Sequence, residues 1–332
     1  MNQRAPLRVG IIGCGLIGRK RAAALGGDTL VGCFDIQQDV SEKLAGDYDA
    51  VSCASPERLF DLSPDVVIVA VTHDRLADLS CAALASDAHV LVEKPAGIGT
   101  AQIDRIAASA ERTGKLVKVG FNHRFHSGIQ RAIDEARSGS FGDLLYMRAR
   151  YGHGARLGYE REWRTDPVRS GGGEIVDQGM HLLDLSYWLL GPLRVRSSLL
   201  KTQFWQAPVD DNAVLVLADS GGIGDRTPWA LIHVSWTEWK NQFSLEIAAE
   251  RAKWAVEGLV GSYGPQSLTI YRMRPELGPP DVERVSYPDR DESWEREWNH
   301  FAEAIVTRDG RQLLGDLDSA RYAWSCVEEA QR

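Results

Sequence analysis

Three side chains in this sequence have the chemistry to take an alcohol to a ketone: Lys94, Asp177 and His181. That oxidation removes a hydride and a proton, and imidazole is the natural proton acceptor near neutral pH. Asp177 and His181 stand four apart in Gly171-Gly172-Gly173-Glu174-Ile175-Val176-Asp177-Gln178-Gly179-Met180-His181-Leu182-Leu183-Asp184. On a helix that spacing puts both on one face, and Asp184 continues the face three residues on. A carboxylate beside the ring orients it and stabilises its charged form. The glycine run ahead permits close backbone approach by a cofactor or substrate. Lys94 follows an apolar strand and stands between Glu93 and Pro95, at the strand end where open α/β sheets hold ligands. Partly desolvated there, it can donate to a substrate oxygen or shuttle a proton. Plainer readings compete: a surface lysine, a core histidine satisfied by its aspartate, or a metal pair. The metal pair lacks a third ligand, because His123, His126 and His153 have no ligand-type spacing to this helix, so no metal is expected.

The stretch Leu7 to Asp35 positions a nucleotide. Leu7, Val9, Ile11 and Ile12 read as a buried parallel strand. It runs into Gly13-Cys14-Gly15-Leu16-Ile17-Gly18, and Arg19 to Leu25 reads as a helix. Gly13 makes the tight turn, Gly15 leaves room for a pyrophosphate, and Gly18 lets the helix pack on the strand so that its N-terminal amides face the phosphates. A second strand, Leu30 to Phe34, ends in Asp35, where a carboxylate accepts from the adenosine ribose hydroxyls. A 2′-phosphate would meet that charge, and Ile36, Gln37 and Gln38 supply no arginine to offset it. The expected coenzyme is NAD, not NADP.

A third group lies in Gly120-Phe121-Asn122-His123-Arg124-Phe125, at the joint between the two halves of the chain. Asn122 and Arg124 alternate off a strand end there, toward cofactor and substrate. Arg164, next to Trp163, is a further substrate candidate, and it reads equally as a salt-bridged surface arginine. All ten tryptophans lie beyond residue 160. Most would fill a core or a subunit interface, and Trp163, Trp236 and Trp239 are the candidates for an apolar platform under a sugar.

At 332 residues the chain exceeds one typical core, and about two domains are expected. A net charge of −8 argues against nucleic acid or an anionic membrane as partner. No signal peptide or membrane-spanning apolar run appears, and the five scattered cysteines without a CxxC suggest reduced thiols and a cytoplasmic protein. Residues 1–121 alternate strand and helix, which predicts a doubly wound parallel Rossmann sheet. Residues 122–332 predict an α/β domain with an open, mostly antiparallel sheet, the last helices being free to pack back on the first domain. Within it a helix is expected over Glu174 to Leu190, a strand over Phe243 to Val256, and an exposed loop over Arg274 to Ser286.

The motifs in order resemble the glucose–fructose oxidoreductase / inositol dehydrogenase / rhizopine-catabolism (Gfo/Idh/MocA) family. Those motifs are Gly13 to Gly18, Glu93-Lys94-Pro95-Ala96-Gly97, Gly120 to Phe125, Trp163-Arg164, Gly171 to Asp184, and Asp210-Asp211-Asn212-Ala213. The likeness runs over nearly the whole chain. It implies an NAD-dependent dehydrogenase acting on a secondary hydroxyl of a sugar, sugar derivative or cyclitol, with Lys94, Asp177 and His181 as the catalytic set. It also implies coenzyme contacts from Thr72, His73, Glu93, Lys94 and Asn122, and a homodimer or homotetramer built through the second sheet. His73 departs from the pattern, standing where members carry proline. Two other activities occur in the family, an NAD-using glycoside hydrolase and a non-catalytic sensor, and retention of Lys94, Asp177 and His181 argues against the sensor.

Overall fold

Short apolar runs pair in parallel to make the first sheet: β1 (Arg8–Ile12), β2 (Thr29–Phe34), β3 (Val51–Ser52), β4 (Val66–Val69), β5 (His89–Val92) and β6 (Val117–Val119). Their order is β3-β2-β1-β4-β5-β6, the doubly wound arrangement whose order reverses beside β1. Every residue of β4 is buried, as a strand covered on both faces requires. Helices α1 (Leu16–Ala23), α2 (Gln38–Tyr48), α3 (Pro56–Phe60), α4 (His73–Ala85) and α5 (Thr100–Thr113) alternate with these strands. Gly114, in the left-handed region at φ 69, ends α5. This computed structural model describes residues 5–276, 278–310 and 313–332.

The chain forms two units. The first joins everything up to Asn122 to Trp294–Arg321, and the second joins His123–Ser293 to Tyr322–Arg332. In the second unit α6 (Ser127–Arg137), α7 (Pro167–Ser170), α8 (Glu174–Asp177) and α9 (Gly179–Leu190) come before most of the strands, and α10 (Ser293–Thr307) and α11 (Leu317–Ala330) close the chain.

The first unit includes most of α10. Trp298, Phe301 and Ala302 of that helix pack into one core with Val9, Ile11 and Leu30. The Trp298 indole N–H donates to Asp28 Oδ2 at 2.8 Å, while Asp28 Oδ1 accepts from Leu7 N–H at 2.7 Å. One carboxylate thus ties a late helix to the first strand.

The second sheet has eight strands: β7 (Leu144–Gly152), β8 (Arg194–Lys201), β9 (Asn212–Ala218), β10 (Trp229–Ser235), β11 (Gln242–Ala249), β12 (Ala252–Glu257), β13 (Ser267–Arg272) and β14 (Asp281–Ser286). Their order is β14-β13-β12-β11-β7-β10-β9-β8, and the β7–β10 pair is the parallel one. Met147 and Ala149 point inward and are buried, while Arg148 and Arg150 on the opposite face are partly exposed. That alternation marks a sheet with one covered face. α6 packs on β11, β12 and β13, and α9 on β10 and β7.

Three expectations are corrected. Phe243 to Val256 is not one strand but the hairpin β11–β12, turned at Glu250 and Arg251. Arg274 to Ser286 contains the edge strand β14 (Leu277 lies outside the described residues), whose charges conceal its alternation. Glu283, for example, bridges Arg131 at 2.6 Å and Arg272 at 2.8 Å. The helix expected over Glu174 to Leu190 is two helices, broken at Gln178.

Truncating Trp298 removes both its packing and its bond to Asp28. Trp298→Ala should lower unfolding free energy by about 3–5 kcal/mol, read from the urea midpoint. A midpoint equal to wild type would show that α10 does not stabilise this unit.

Candidate functional site

In the first unit the glycine turn has the expected form. Gly13 takes φ 93, and its N–H donates to Phe34 O at 2.8 Å. A Cβ on Gly18 would fall 1.9 Å from Gly13 O, whereas one on Gly15 would meet nothing within 4 Å. Gly15 is also the N-cap of α1, with no side chain capping the helix, and Leu16 beside it is largely exposed. Ile17 follows on the same turn. Open space in front of uncapped amides suits a diphosphate. Asp35 lies alongside, Oδ2 accepting from Cys14 N–H at 2.8 Å and Oδ1 from Gln37 N–H at 2.9 Å. Each carboxylate oxygen keeps a lone pair for a ribose hydroxyl. These residues fit a dinucleotide.

At the end of β4, Thr72 is the N-cap of α4 and His73 its first residue, buried at the helical position that proline also favours. At the end of β5, Lys94 is partly exposed and precedes a cis Pro95. Glu93, expected to touch the coenzyme, is held inside the fold. Arg21 donates to Glu93 Oε1 at 2.6 Å and to Glu297 Oε2 at 2.6 Å, and Lys118 stands 3.5 Å from Glu297. Burial pushes the Glu93 carboxyl up, and the Arg21 guanidinium draws it back down. The face of Trp294 lies 4.5 Å from the Arg21 guanidinium. Lys94 therefore follows directly on a residue fixed by a buried ion network.

Asn122 and Arg124 do not continue a strand. They belong to the 3-10 turn Asn122–Phe125, and both are buried. Arg124, expected to meet substrate, grips Asp184 with both arms of its fork, Nε at 2.8 Å and an NH2 group at 2.6 Å. Asp184 has no exposed surface, so this pair is an internal brace and does not extend the Asp177–His181 face.

The catalytic candidates of the second unit sit on either side of the break at Gln178. Asp177 ends α8 and His181 lies in the first turn of α9, its N–H donating to Gln178 O at 3.1 Å. The Asp177 Oδ2 lies 3.4 Å from Arg164 Nε and 3.5 Å from the Tyr159 hydroxyl that donates to it. Burial works against the Arg164 charge and Asp177 overcomes it, so the guanidinium is held above its ordinary range. Arg164 also stacks on Trp163, 4.6 Å from the ring centre. Trp163, Arg164 and Asp177 thus form one chain of contacts. Trp236 is fully buried in a cluster with Tyr159, Trp205 and Val209, so it fills core and forms no platform. Trp239 is exposed, its ring 5.0 Å from that of Phe204.

Sequence spacing missed three residues here. His153 brings a ring nitrogen, and Glu174 a carboxylate oxygen, within 4.8 Å of Asp177 and of each other. Ala155 N–H donates to His153 Nδ1 at 2.9 Å, which puts the ring proton on Nε2 and makes that nitrogen a donor instead of a metal ligand. The third is Asp210. Its carboxylate accepts from Gly173 N–H at 3.2 Å and Ile175 N–H at 2.8 Å, and its carbonyl accepts from Glu174 N–H. A Cβ on Gly173 would lie 2.0 Å from Asp210 O. At Gly173 the close approach is therefore to Asp210. Asp211 accepts from the N–H groups of Gln203, Phe204 and Trp205, whose combined effect outweighs burial and keeps its carboxyl below the usual range.

Residues 7–121 match the family model described as an oxidoreductase family with an NAD-binding Rossmann fold, and residues 129–255 match the C-terminal domain model of the same family. The chain belongs to the Gfo/Idh/MocA family. As in that family's description, its first unit is an NAD-binding Rossmann domain. Glucose-6-phosphate 3-dehydrogenase of Bacillus subtilis (strain 168) is 29% identical over 187 residues, 55% of this chain and 53% of that protein. Inositol 2-dehydrogenase of Gluconacetobacter diazotrophicus is 33% identical over 193 residues, 55% of this chain and 54% of that protein. The chain thus spans about half the length of these curated relatives. Levoglucosan dehydrogenase, solved with NADH, has a similar fold: TM-score 0.86 at 17% identity, covering 98% of this Gfo/Idh/MocA chain and 97% of its own.

Burial lifts the Asp210 carboxyl from 3.8 to about 6, against the lowering effect of its N–H partners. The folded state then binds a proton that the unfolded chain has released, so stability falls as pH rises from about 4 to about 6, by up to about 3 kcal/mol. Urea denaturation across that range should show the stability difference between wild type and Asp210→Asn changing by that amount. A difference constant with pH would mean that Asp210 is charged throughout.

Proposed function

We propose that this protein is an NAD-dependent dehydrogenase that oxidises a secondary hydroxyl of a sugar, sugar derivative or cyclitol to a ketone. The observation that carries the reading is Asp177, held by Arg164 and Tyr159 four residues ahead of a buried imidazole, in a chain of this family that also keeps Lys94. Bound NAD supplies the hydride acceptor. His181 takes the hydroxyl proton, and Asp177 stabilises the imidazolium that results. Arg164, 3.4 Å from Asp177 Oδ2, holds that carboxylate in place for the task. Lys94 donates to the substrate oxygen, favouring the alkoxide-like charge that develops as the proton leaves. Trp163, carrying Arg164 on its face, offers the apolar surface for a sugar ring. Asn122 and Thr72 complete the coenzyme contacts, and Asp35 selects NAD by repelling a 2′-phosphate. Names of relatives point to the substrate class: glucose 6-phosphate, inositol and levoglucosan are all polyhydroxylated rings.

No helix among the described residues is long and apolar enough to cross a membrane, and the five cysteines are free thiols, which suits a reducing cytoplasm. The partly exposed face of the second sheet is the surface through which copies would assemble as a dimer or tetramer.

Purified protein with NAD and a panel of polyols, sugars, nucleotide sugars and aminoglycosides should produce the absorbance of reduced nicotinamide with at least one substrate. His181→Ala should then reduce turnover by about 10²–10⁴-fold and leave NAD binding unchanged. Coenzyme binding without hydride transfer to any member of the panel would overturn the proposal. Asp35→Ser should bring the affinities for NAD and NADP together, and an unchanged preference would reject Asp35 as the selector.

A further inference from the structure

The ring of His181 has a second imidazole on its face. His123 stacks on it with centroids 3.8 Å apart and planes 27° from parallel, and both rings are buried. Tyr151 lies 5.0 Å from His123 and 6.2 Å from His181, Phe243 lies 5.9 Å from His123, and His126 meets His123 edge-on at 5.5 Å. Two imidazolium rings at stacking distance, shielded from water, repel strongly. A neutral imidazole, by contrast, offers its π face to a cation and stabilises it. The stack therefore favours one proton over two.

Surrounding groups decide which ring receives it. His181 follows Asp177 by four residues in the chain, and Asp177 lies in a cluster with Glu174 and His153. His123 instead neighbours His126, whose Nε2 lies 3.9 Å from the Asp291 carboxylate, so any charge on His126 opposes a charge on His123. Burial keeps Tyr151 well above the phenol range and lifts Tyr263, whose ring is 5.3 Å from it, to about 12, so both are neutral. Arg124 is matched by Asp184 and Arg164 by Asp177.

We propose that His123 is a positioning residue for the proton acceptor: it stays neutral, holds the His181 ring flat, and stabilises the imidazolium through its face. This inference rests on the reading of His181 as the base. No motif of the chemistry singled out His123, which sequence reasoning treated only as a ligand without the right spacing.

The test is NMR titration of the whole protein labelled with carbon-13 at histidine Cε1, the two signals being assigned by their loss in His123→Phe and His181→Asn. His181 should titrate near neutral pH while His123 stays neutral down to about pH 5. His123→Leu, which removes the π face, should lower the His181 midpoint by about one pH unit, and the acid limb of kcat/KM should move with it. His123→Phe keeps the face and should leave the midpoint nearly in place. Coupling is reciprocal, so His181→Asn should raise the His123 midpoint. That arm decides the matter if His123→Leu does not fold. A His123 midpoint indifferent to His181, or a His181 midpoint indifferent to His123→Leu, would overturn the proposal. Full turnover in His181→Asn would instead remove the base assignment and leave the measured coupling standing, so the two failures are distinguishable.

Discussion

Asp210 is the tie on which the head of α8 in the second unit depends. Three backbone N–H groups, from Gly173, Glu174 and Ile175, end on this one residue, two on its carboxylate and one on its carbonyl. It lies two residues before β9, so the start of α8 is pinned beside the second sheet. Gly173 permits the contact because any side chain there would occupy the space of the Asp210 carbonyl. Glu174, Asp177 and, past the break at Gln178, His181 take their places from that anchor. A buried carboxylate without a cation is costly, and the amides at the head of α8 supply the compensation.

The first unit holds its lysine by a different device. Arg21, almost wholly buried, joins Glu93 to Glu297, and Lys118 reaches both Glu297 and the Leu314 carbonyl. Helix α1, strand β5, strand β6 and helix α10 therefore meet at one set of charges. Removing either partner of such a pair strands the other in a dry interior, a larger penalty than the pair's own net worth. What the network provides is register: Glu93 cannot shift, so Lys94 leaves the strand from a fixed point.

The two anchors differ in how readable they were. The glycine turn of Gly13, Gly15 and Gly18 and the acid at Asp35 were legible because each follows from local backbone geometry next to a strand and a helix. The alternation on β7 was legible for the same reason. The internal partners of Glu93 and Arg124, Arg21 with Glu297 and Asp184, were not legible because they lie 60 or more residues away along the chain. Charge pairs over such distances have no periodic signature. Edge strand β14 escaped because its exposed charges mask a period of two, and the break at Gln178 escaped because the apolar residues Ile175, Val176, Met180, Leu182 and Leu183 keep a helical period across it.

Taken alone, the order of residues determined the Rossmann sheet, the family and the coenzyme, and it proposed Lys94, Asp177 and His181, since each rests on short-range spacing or on residue type. Tertiary structure decided which charges are internal braces, that His153 and Glu174 gather at Asp177, and that His123 stacks on His181. Those pairings arise when elements distant in sequence pack together, and spacing along a chain carries no record of that meeting.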